Sequence, residues 1–389
     1  MPVIDAIAKL KKDMTAWRRD LHQHPELGFD TVRTSDVVAE KLQSFGIEVH
    51  RGLARTGVVG TLKAGSSKRA IGLRADMDAL PLDEKNTFTH RSRNDGKMHA
   101  CGHDGHTAML LGAAKYLADT RAFDGTVNFV FQPAEEGGGG GRVMVEEGLF
   151  KKFPCEGIYG LHNWPGMEAG TIGVRTGAML AAADFFGITV HGQGGHGAMP
   201  HRANDPVVIG AEIVSALQTI ASRTADPIEA VVVSVTQFHA GSAGNVIPDE
   251  AKLSGTCRTL SDASRDMVER RIREVVKGIA SAHNAKADIR YHRGYPVLVN
   301  TGPETDKARL AASRIVGAGN VTIDPPPEMG AEDFAYMLRA KPGSYIWLGN
   351  GGADGNCMLH NPHYDFNDDV APIGASYWAA LVEQELSRG

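Results

Sequence analysis

Two apolar rhythms take turns along this chain. Short, nearly unbroken apolar runs, VVGTLKA at 58–64, RAIGLRADMD at 69–78 and TVNFVFQPAEE at 126–136, read as strands, and between the last two lies HDGHTAMLLGAAKYLADT at 103–120, long enough and apolar enough for a buried helix. Strands alternating with helices predict an α/β domain whose mixed, largely parallel sheet is covered by helices, and such sheets gather chemistry at the carboxyl ends of their strands. Polar residues stand at those ends: Asp76 and Asp78 after IGLRA, Glu135 and Glu136 after VNFVFQPA, and His162 after GIYGL. From about residue 184 the grammar changes to strand (DFFGITVHG), helix (DPVVIGAEIVSALQTIASR), two strands (EAVVVSVTQFHA, EAKLSGTCRTL), helix (SRDMVERRIREVVKGIASAH) and strand (KADIRYHRG). That βαββαβ order predicts an inserted ferredoxin-like α+β lid. A helix (ETDKARLAASRIV), a strand (SYIWLG) and a closing helix (ASYWAALVEQELSR) then resume the first pattern, so the expected division is catalytic domain 1–183, inserted lid and dimerisation domain 184–296, and catalytic domain again 297–389.

A length of 389 residues agrees with two domains, and 42% hydrophobic with 22% charged residues describes folded globular material. The net charge of −5 excludes the basic footprint of a nucleic-acid binder and favours a small-molecule partner. The first residues, MPVIDAIAKLKKDMTAWRRDLHQHPELGF, are amphipathic and lack the apolar run of a signal peptide or membrane span, while Cys101, Cys155, Cys257 and Cys357 are scattered as reduced thiols would be. Cytoplasmic location without membrane attachment is the expectation. The glycines at 137–141 are followed by no Gly-Lys-Ser/Thr, which sets a phosphate loop aside, and are expected to bring backbone close to a crowded metal site.

The segment MHACGHDGHTA places Cys101 and His103 two apart at a helix start, a thiolate–imidazole pair suited to zinc or a similar ion. Alone it is weak, since such histidines also serve as ordinary helix-start residues. Its company changes the balance: consecutive Glu135 and Glu136, then His162, then His360 in MLHNPHYDF. Cys101, His103, Glu136, His162 and His360 exceed what one catalytic zinc takes and fit two ions sharing a bridging thiolate and a water. Of two adjacent carboxylates one can ligate while the other faces that water as general base, the role expected of Glu135. Asp78 is expected to accept a hydrogen bond from a ligating imidazole, with a plain turn residue as the alternative.

RADMDALP, MHACGHDGHTA, QPAEEGGGG, GLHNWP, GGHGAMPH, GNVIPD, MGAEDF and LHNPHYDF, in this order across nearly the whole chain, resemble the aminoacylase and hippurate-hydrolase family of dinuclear metallopeptidase-like amidohydrolases, the branch that includes auxin-conjugate hydrolases. The resemblance implies hydrolysis of the amide bond of an N-acyl-L-amino acid, with Cys101 bridging, His103, Glu136, His162 and His360 completing the ligand set, and Glu135 as base. Where wider relatives carry His-x-Asp, here stands Asp76-Met77-Asp78, so the role of Asp76 is open. Manganese or zinc, with cobalt or nickel as alternatives, is the expected pair of divalent ions.

The same resemblance implies a homodimer or higher oligomer through the lid, with His196 reaching the partner's site to stabilise the oxyanion. Asn245 and Arg258, from GNVIPD and TCRT, are the expected substrate contacts, Arg258 forking onto the α-carboxylate. A turn histidine and a solvated strand-end arginine are the alternatives for His196 and Arg258. His22, His24, His99, His106, His201 and His363 are read as structural or supporting. Other activities weighed are a dipeptidase or carboxypeptidase, an N-acetyl-amino-acid deacetylase such as one for acetyl-diaminopimelate, and a catalytically silent metal-binding relative.

Overall fold

The computed structural model describes residues 3–352 and 357–388 and divides into two compact units. The first comprises Met1–Gly177, Val299–Pro326 and Asp333–Gly389, and the second Ala178–Leu298 with Pro327–Glu332. The chain opens with α1 (Asp5–Lys9), α2 (Lys11–Gln23) and α3 (Val32–Ser44), followed by β1 (Glu48–Leu53), β2 (Gly57–Ala64), β3 (Ala70–Asp76) and α4 (His103–Thr120). Then come β4 (Gly125–Gln132), α5 (Gly140–Glu146), α6 (Leu149–Lys152), β5 (Gly157–Pro165) and β6 (Ile172–Val174). β7 (Gly177–Leu180) leads into β8 (Ala182–His191), β9 (Gly195–His196), α7 (Pro206–Thr219), β10 (Val231–Ala240), β11 (Val246–Ile247), β12 (Glu250–Thr259), α8 (Asp262–Ala282) and β13 (Lys286–Arg293). β14 (Leu298–Asn300), α9 (Gly302–Val316), β15 (Val321–Ile323), α10 (Phe334–Ala340), β16 (Gly343–Gly351) and α11 (Ala371–Glu385) complete it.

In the first unit eight strands form one sheet in the order β1-β2-β4-β3-β5-β16-β6-β15. The central ladder β4-β3-β5-β16 is parallel throughout, and antiparallel pairs lie toward the edges at β1/β2, β2/β4 and β16/β6. All seven residues of β3 are buried, which is why it reads as an almost continuous apolar run rather than an alternating one. α4 is apolar nearly all round and correspondingly buried, with Met109, Leu110 and Leu117 in the main core beside Trp378 and Leu381 of α11. This packing leaves the carboxyl ends of β3 and β4 and the amino end of α4 fixed on buried elements, and a side chain there is positioned by the core behind it.

The second unit carries a four-stranded antiparallel sheet in the order β10-β12-β8-β13. With β8, β10, β12 and β13 as strands one to four, that is the 4-1-3-2 arrangement of a ferredoxin-like fold, as the βαββαβ pattern predicts. Ser261 caps α8 by accepting from the Ser264 N–H at 3.1 Å, and Val268, Ile272, Val276 and Ala280, every fourth residue, bury one stripe of that helix. Truncating Ile272 to alanine would cost about 2–5 kcal/mol by this reasoning. Within this unit Ala181 donates to the carbonyls of Glu328 and Gly330, so the short piece from residue 327 to 332 is knitted to the start of the insertion.

Candidate metal centre

The five expected ligands come from four stretches of the first unit. Cys101 precedes α4, and Gly102 between it and His103 takes φ 90° as the helix cap. A Cβ at Gly102 would stand 2.3 Å from Asn163 Oδ1 and 2.6 Å from the Tyr364 hydroxyl, so only glycine lets the turn close. His103 donates from Nδ1 to the main-chain carbonyl of Asp78 at 2.8 Å, and His162, on β5, donates from Nδ1 to its neighbour Asn163 O at 2.7 Å. Both rings are thereby held with the Nε2 lone pair inward, as metal ligands need. His162 Nε2 lies 3.4 Å from Cys101 Sγ, close to the separation of about 3.3–3.7 Å expected for two atoms sharing one zinc-like ion.

Glu135 and Glu136 sit on a turn after β4 where Ala134 is forced to φ 57°. Asp78 holds both: its Oδ1 accepts from the Glu135 N–H at 2.9 Å and its Oδ2 from the Glu136 N–H at 3.0 Å. His360 lies outside any helix or strand with φ 66°, its N–H donating to Ala100 O at 2.7 Å and its Nε2 standing 3.2 Å from Glu136 Oε1. Among the described residues five groups of possible ligand atoms lie within 4.8 Å of one another, and two of these triads share Cys101, one with His103 and His162 and one with Glu136 and His360.

The electrostatics fit a pair of cations. His103 Nε2 is buried and has no hydrogen-bond partner, an orphaned ring nitrogen of the kind that costs stability unless something binds it. Burial disfavours a charged His103, yet the carboxylates of Asp76, Asp78 and Glu136 outweigh it and lift its pKa to about 10, so this pocket attracts positive charge. Burial and the negative charges of Glu136, Glu135 and Asp76 push the Cys101 thiol well above its usual value, and a cation at Sγ is what would make it a thiolate. His162 moves the other way, its imidazolium disfavoured by burial and by His106, which keeps it a neutral donor of electrons.

The five expected ligands and Glu135 thus converge. Asp78 contacts the ligating imidazole through its main chain; its carboxylate is 3.6 Å from His103 Nδ1 and is spent on the two glutamate N–H groups. Asp76 bonds Arg74 Nη1 at 2.6 Å and His106 Nδ1 at 2.6 Å; burial raises its pKa, but Arg74, His103 and His106 hold it well below the carboxylate range. The glycine run packs against the acid-pair loop: the Gly137 N–H donates to Glu135 O at 2.7 Å, a Cβ on Gly140 would meet Pro133 O at 1.8 Å, and the Gly141 N–H donates to Asp333 Oδ2 at 2.8 Å. That close backbone lies in the loop carrying the acid pair, where the sequence leads one to expect backbone brought near a crowded metal site.

Sequence reasoning passed over Arg74, Gln132 and Asp333, all buried, with Arg74 reaching Gln132 at 2.9 Å and Asp333 at 3.1 Å, and with Asp333 presenting its N–H 3.4 Å from Glu135 Oε1. Its one available signal was an arginine inside the apolar run IGLRAD. Passed over too was a charged cluster around Arg18, His22 and Asp104, in which His22 Nδ1 and Asp104 Oδ2 are 2.8 Å apart. In the second unit His196 pairs with Val246 next to Asn245, and its Nδ1 accepts from the Ala198 N–H at 3.0 Å, which leaves Nε2–H as a donor on an exposed ring. Arg258, on β12, is half-buried with its guanidinium 5.7 Å above the Phe185 ring and donating to Cys257 O.

Comparison with known proteins agrees over almost the full chain. Residues 72–384 match the model of peptidase family M20/M25/M40. A hippurate hydrolase of Campylobacter jejuni is 42% identical over 386 residues, spanning 99% of this chain and all of the relative. An N-acyl-L-amino acid amidohydrolase of Geobacillus stearothermophilus is 46% identical over 297 residues, 76% of this chain and 80% of the relative. The solved Bacillus subtilis YXEP protein, described as a dinuclear metal binding peptidase from the M20 family, superposes with a TM-score of 0.85 at 35% identity, covering 97% of this chain and 99% of that one.

Proposed function

The chain belongs to peptidase family M20/M25/M40, and from that membership we propose that it is a metal-dependent amidohydrolase that cleaves N-acyl-L-amino acids, hippurate-like or indole-acetyl conjugates, into a carboxylic acid and a free amino acid. The observation that carries the reading is the pair of triads sharing Cys101, with a buried, unpartnered His103 Nε2 aimed among the carboxylates. Two divalent ions, when bound, supply Lewis acidity that polarises the scissile carbonyl and makes a water acidic enough to lose a proton near neutral pH. Cys101, His103 and His162 would hold one ion, and Cys101, Glu136 and His360 the other. Glu135 accepts the proton of the attacking water at its carboxylate and delivers it to the amide nitrogen, which leaves as the amine. Asp78, by gripping both main-chain N–H groups, keeps Glu135 and Glu136 turned to different tasks.

Zinc or manganese is the proposed native metal, because thiolate and imidazole favour zinc while the carboxylate suits manganese. His196, with Nε2–H free to donate, suits a developing oxyanion, and Asn245 and Arg258 are the proposed contacts to the amino-acid half of the substrate. A homodimer through the lid is supported by the apolar side chains exposed on the second unit, among them Val207, Val208 and Phe238. No helix among the described residues is long and apolar enough to cross a membrane, and the proposed location is the cytoplasm, where the four unpaired cysteines would stay reduced.

The decisive experiment assays benzoyl-glycine, indole-acetyl-aspartate, N-acetylated amino acids and dipeptides with each metal added to chelated protein. Turnover of acyl amino acids restored by about two ions per chain is the expected result, and preference for dipeptides would turn the reading toward the peptidase side of the family. Glu135→Gln should retain both ions while kcat falls about 10²–10⁴-fold; undiminished turnover would remove Glu135 from the role of base.

A further inference from the structure

His360 differs from the other candidate ligands in what holds it. Its side chain is 54% exposed, against 12% for Glu136, and it sits on irregular backbone, so its place is set by whatever fixes residues 357–370. That segment carries Asp365 and Asp368, and both are gripped by one buried guanidinium. Arg18, on α2 and about 1% exposed, donates from Nη1 to Asp365 Oδ1 at 2.7 Å and from Nε to Asp368 Oδ1 at 2.8 Å. Its Nη1 is also 3.7 Å from Asp104 Oδ2, the residue after His103, and its Nη2 is 3.5 Å from His90 Nε2, itself 3.0 Å from Asp365 Oδ2. Asp104 in turn bonds His22, one turn further along α2, whose Nε2 is 3.2 Å from Glu84. The segment is also held by the buried Tyr364 and Phe366, with Asn163 Nδ2 donating to the Tyr364 hydroxyl, and by the His360 N–H on Ala100 O, whereas Arg19 to Asp368 and Lys11 to Asp369 come from half-exposed side chains in water, where an ion pair holds little. A planar fork shielded from water is different: it fixes two carboxylates in direction as well as distance.

We propose that Arg18 is a positioning residue for one ion of the pair, the one held by Cys101, Glu136 and His360. It ties the chain behind His360 to the first turn of the helix that begins at His103, and so sets the distance between the segment carrying Cys101 and the segment carrying His360. The inference rests on the two-ion reading above. The ion shared by Cys101, His103 and His162 depends on Arg18 far less, because β5 and the buried α4 place His162 and His103 through the core.

The test is metal content, by elemental analysis of desalted protein and by titration of the chelated protein with zinc, for the wild type, Arg18→Met and Arg18→Lys. Circular dichroism confirms that each variant is folded. Wild type should hold two ions; Arg18→Met should hold about one after desalting, with the affinity for the second weakened at least tenfold and that for the first within threefold of wild type. Arg18→Lys, which keeps the charge without the fork, should recover part of the second affinity. Should Arg18→Met not fold, Asp365→Asn, a change at a partly exposed site, removes one arm and should give the same selective weakening at smaller size. Two ions of unchanged affinity in the variants, or equal loss of both, overturns the proposal while leaving the two-ion reading intact. A wild type that takes up one ion only overturns that reading, and this inference with it.

Discussion

The two triads that share Cys101 are built on opposite principles. Cys101, His103 and His162 are buried, and regular structure sets the two imidazoles: His103 is the first residue of an 18-residue helix, with Cys101 two residues before it, and His162 lies within a nine-residue strand. Glu136 and His360 stand on turns, one on the loop after Ala134 in left-handed conformation and one itself at φ 66°, and His360 is largely exposed. A ligand on a buried element inherits its position from the core, where small displacements meet close packing. A ligand on a turn has to be placed by specific hydrogen bonds and ion pairs, here Asp78 for Glu136 and the Ala100 carbonyl with the Arg18 cluster for His360. One half of the centre should therefore be rigid and tight, and the other half adjustable and the first to lose its ion.

That contrast can be tested at decreasing strength. Cys101→Ala, which removes the atom common to both halves, should abolish binding of both ions together and depress turnover further than loss of Glu135 does; a variant still holding one ion tightly would show that the thiolate is not shared. Next, His162→Ala and His360→Ala should differ. The exposed-side change should leave one ion bound, and in wild-type protein a weak chelator should strip one ion quickly and the other slowly, whereas simultaneous release of both would erase the distinction between the halves. Asp78→Asn, which weakens the grip on the two glutamate N–H groups, should lower activity or metal affinity about 10–100-fold, with the loss falling on the Glu136 side.

The smallest expected effect is on stability. Burial lowers the pKa of His22, but the charge and hydrogen bond of Asp104 and the contact with Glu84 outweigh it and raise it from 6.5 to about 9. A raised histidine contributes stability that is fully present below about pH 6.5 and is lost as pH climbs through about 9. The His22 contribution to the stability of chelated protein should fall by on the order of 1–3 kcal/mol across that window, read by denaturant unfolding as the part of the pH dependence that His22→Gln removes.

Much of this was legible in the residue string because it depends on local rules. The helix at 103–120 coincides with α4 to the residue, since an apolar stretch of that length behind a glycine has few alternatives. The split βαββαβ unit followed from periodicity alone. Asp76 was illegible for the opposite reason: its partners Arg74 and His106 are two and thirty positions away, and no spacing rule announces them. The same holds for Arg18, whose carboxylate partners lie 347 and 350 residues along the chain.

The amino-acid sequence by itself determined the alternation of elements, the insertion, and the types of donor that stand at strand ends and helix starts, because period, length and glycine placement act within a few residues. Only the tertiary structure decided how those donors are partitioned around Cys101, which carboxylate steers the acid pair, and which buried arginines hold the turns. Those outcomes depend on which charges meet where water is excluded, and that is a property of the folded core rather than of any stretch of chain.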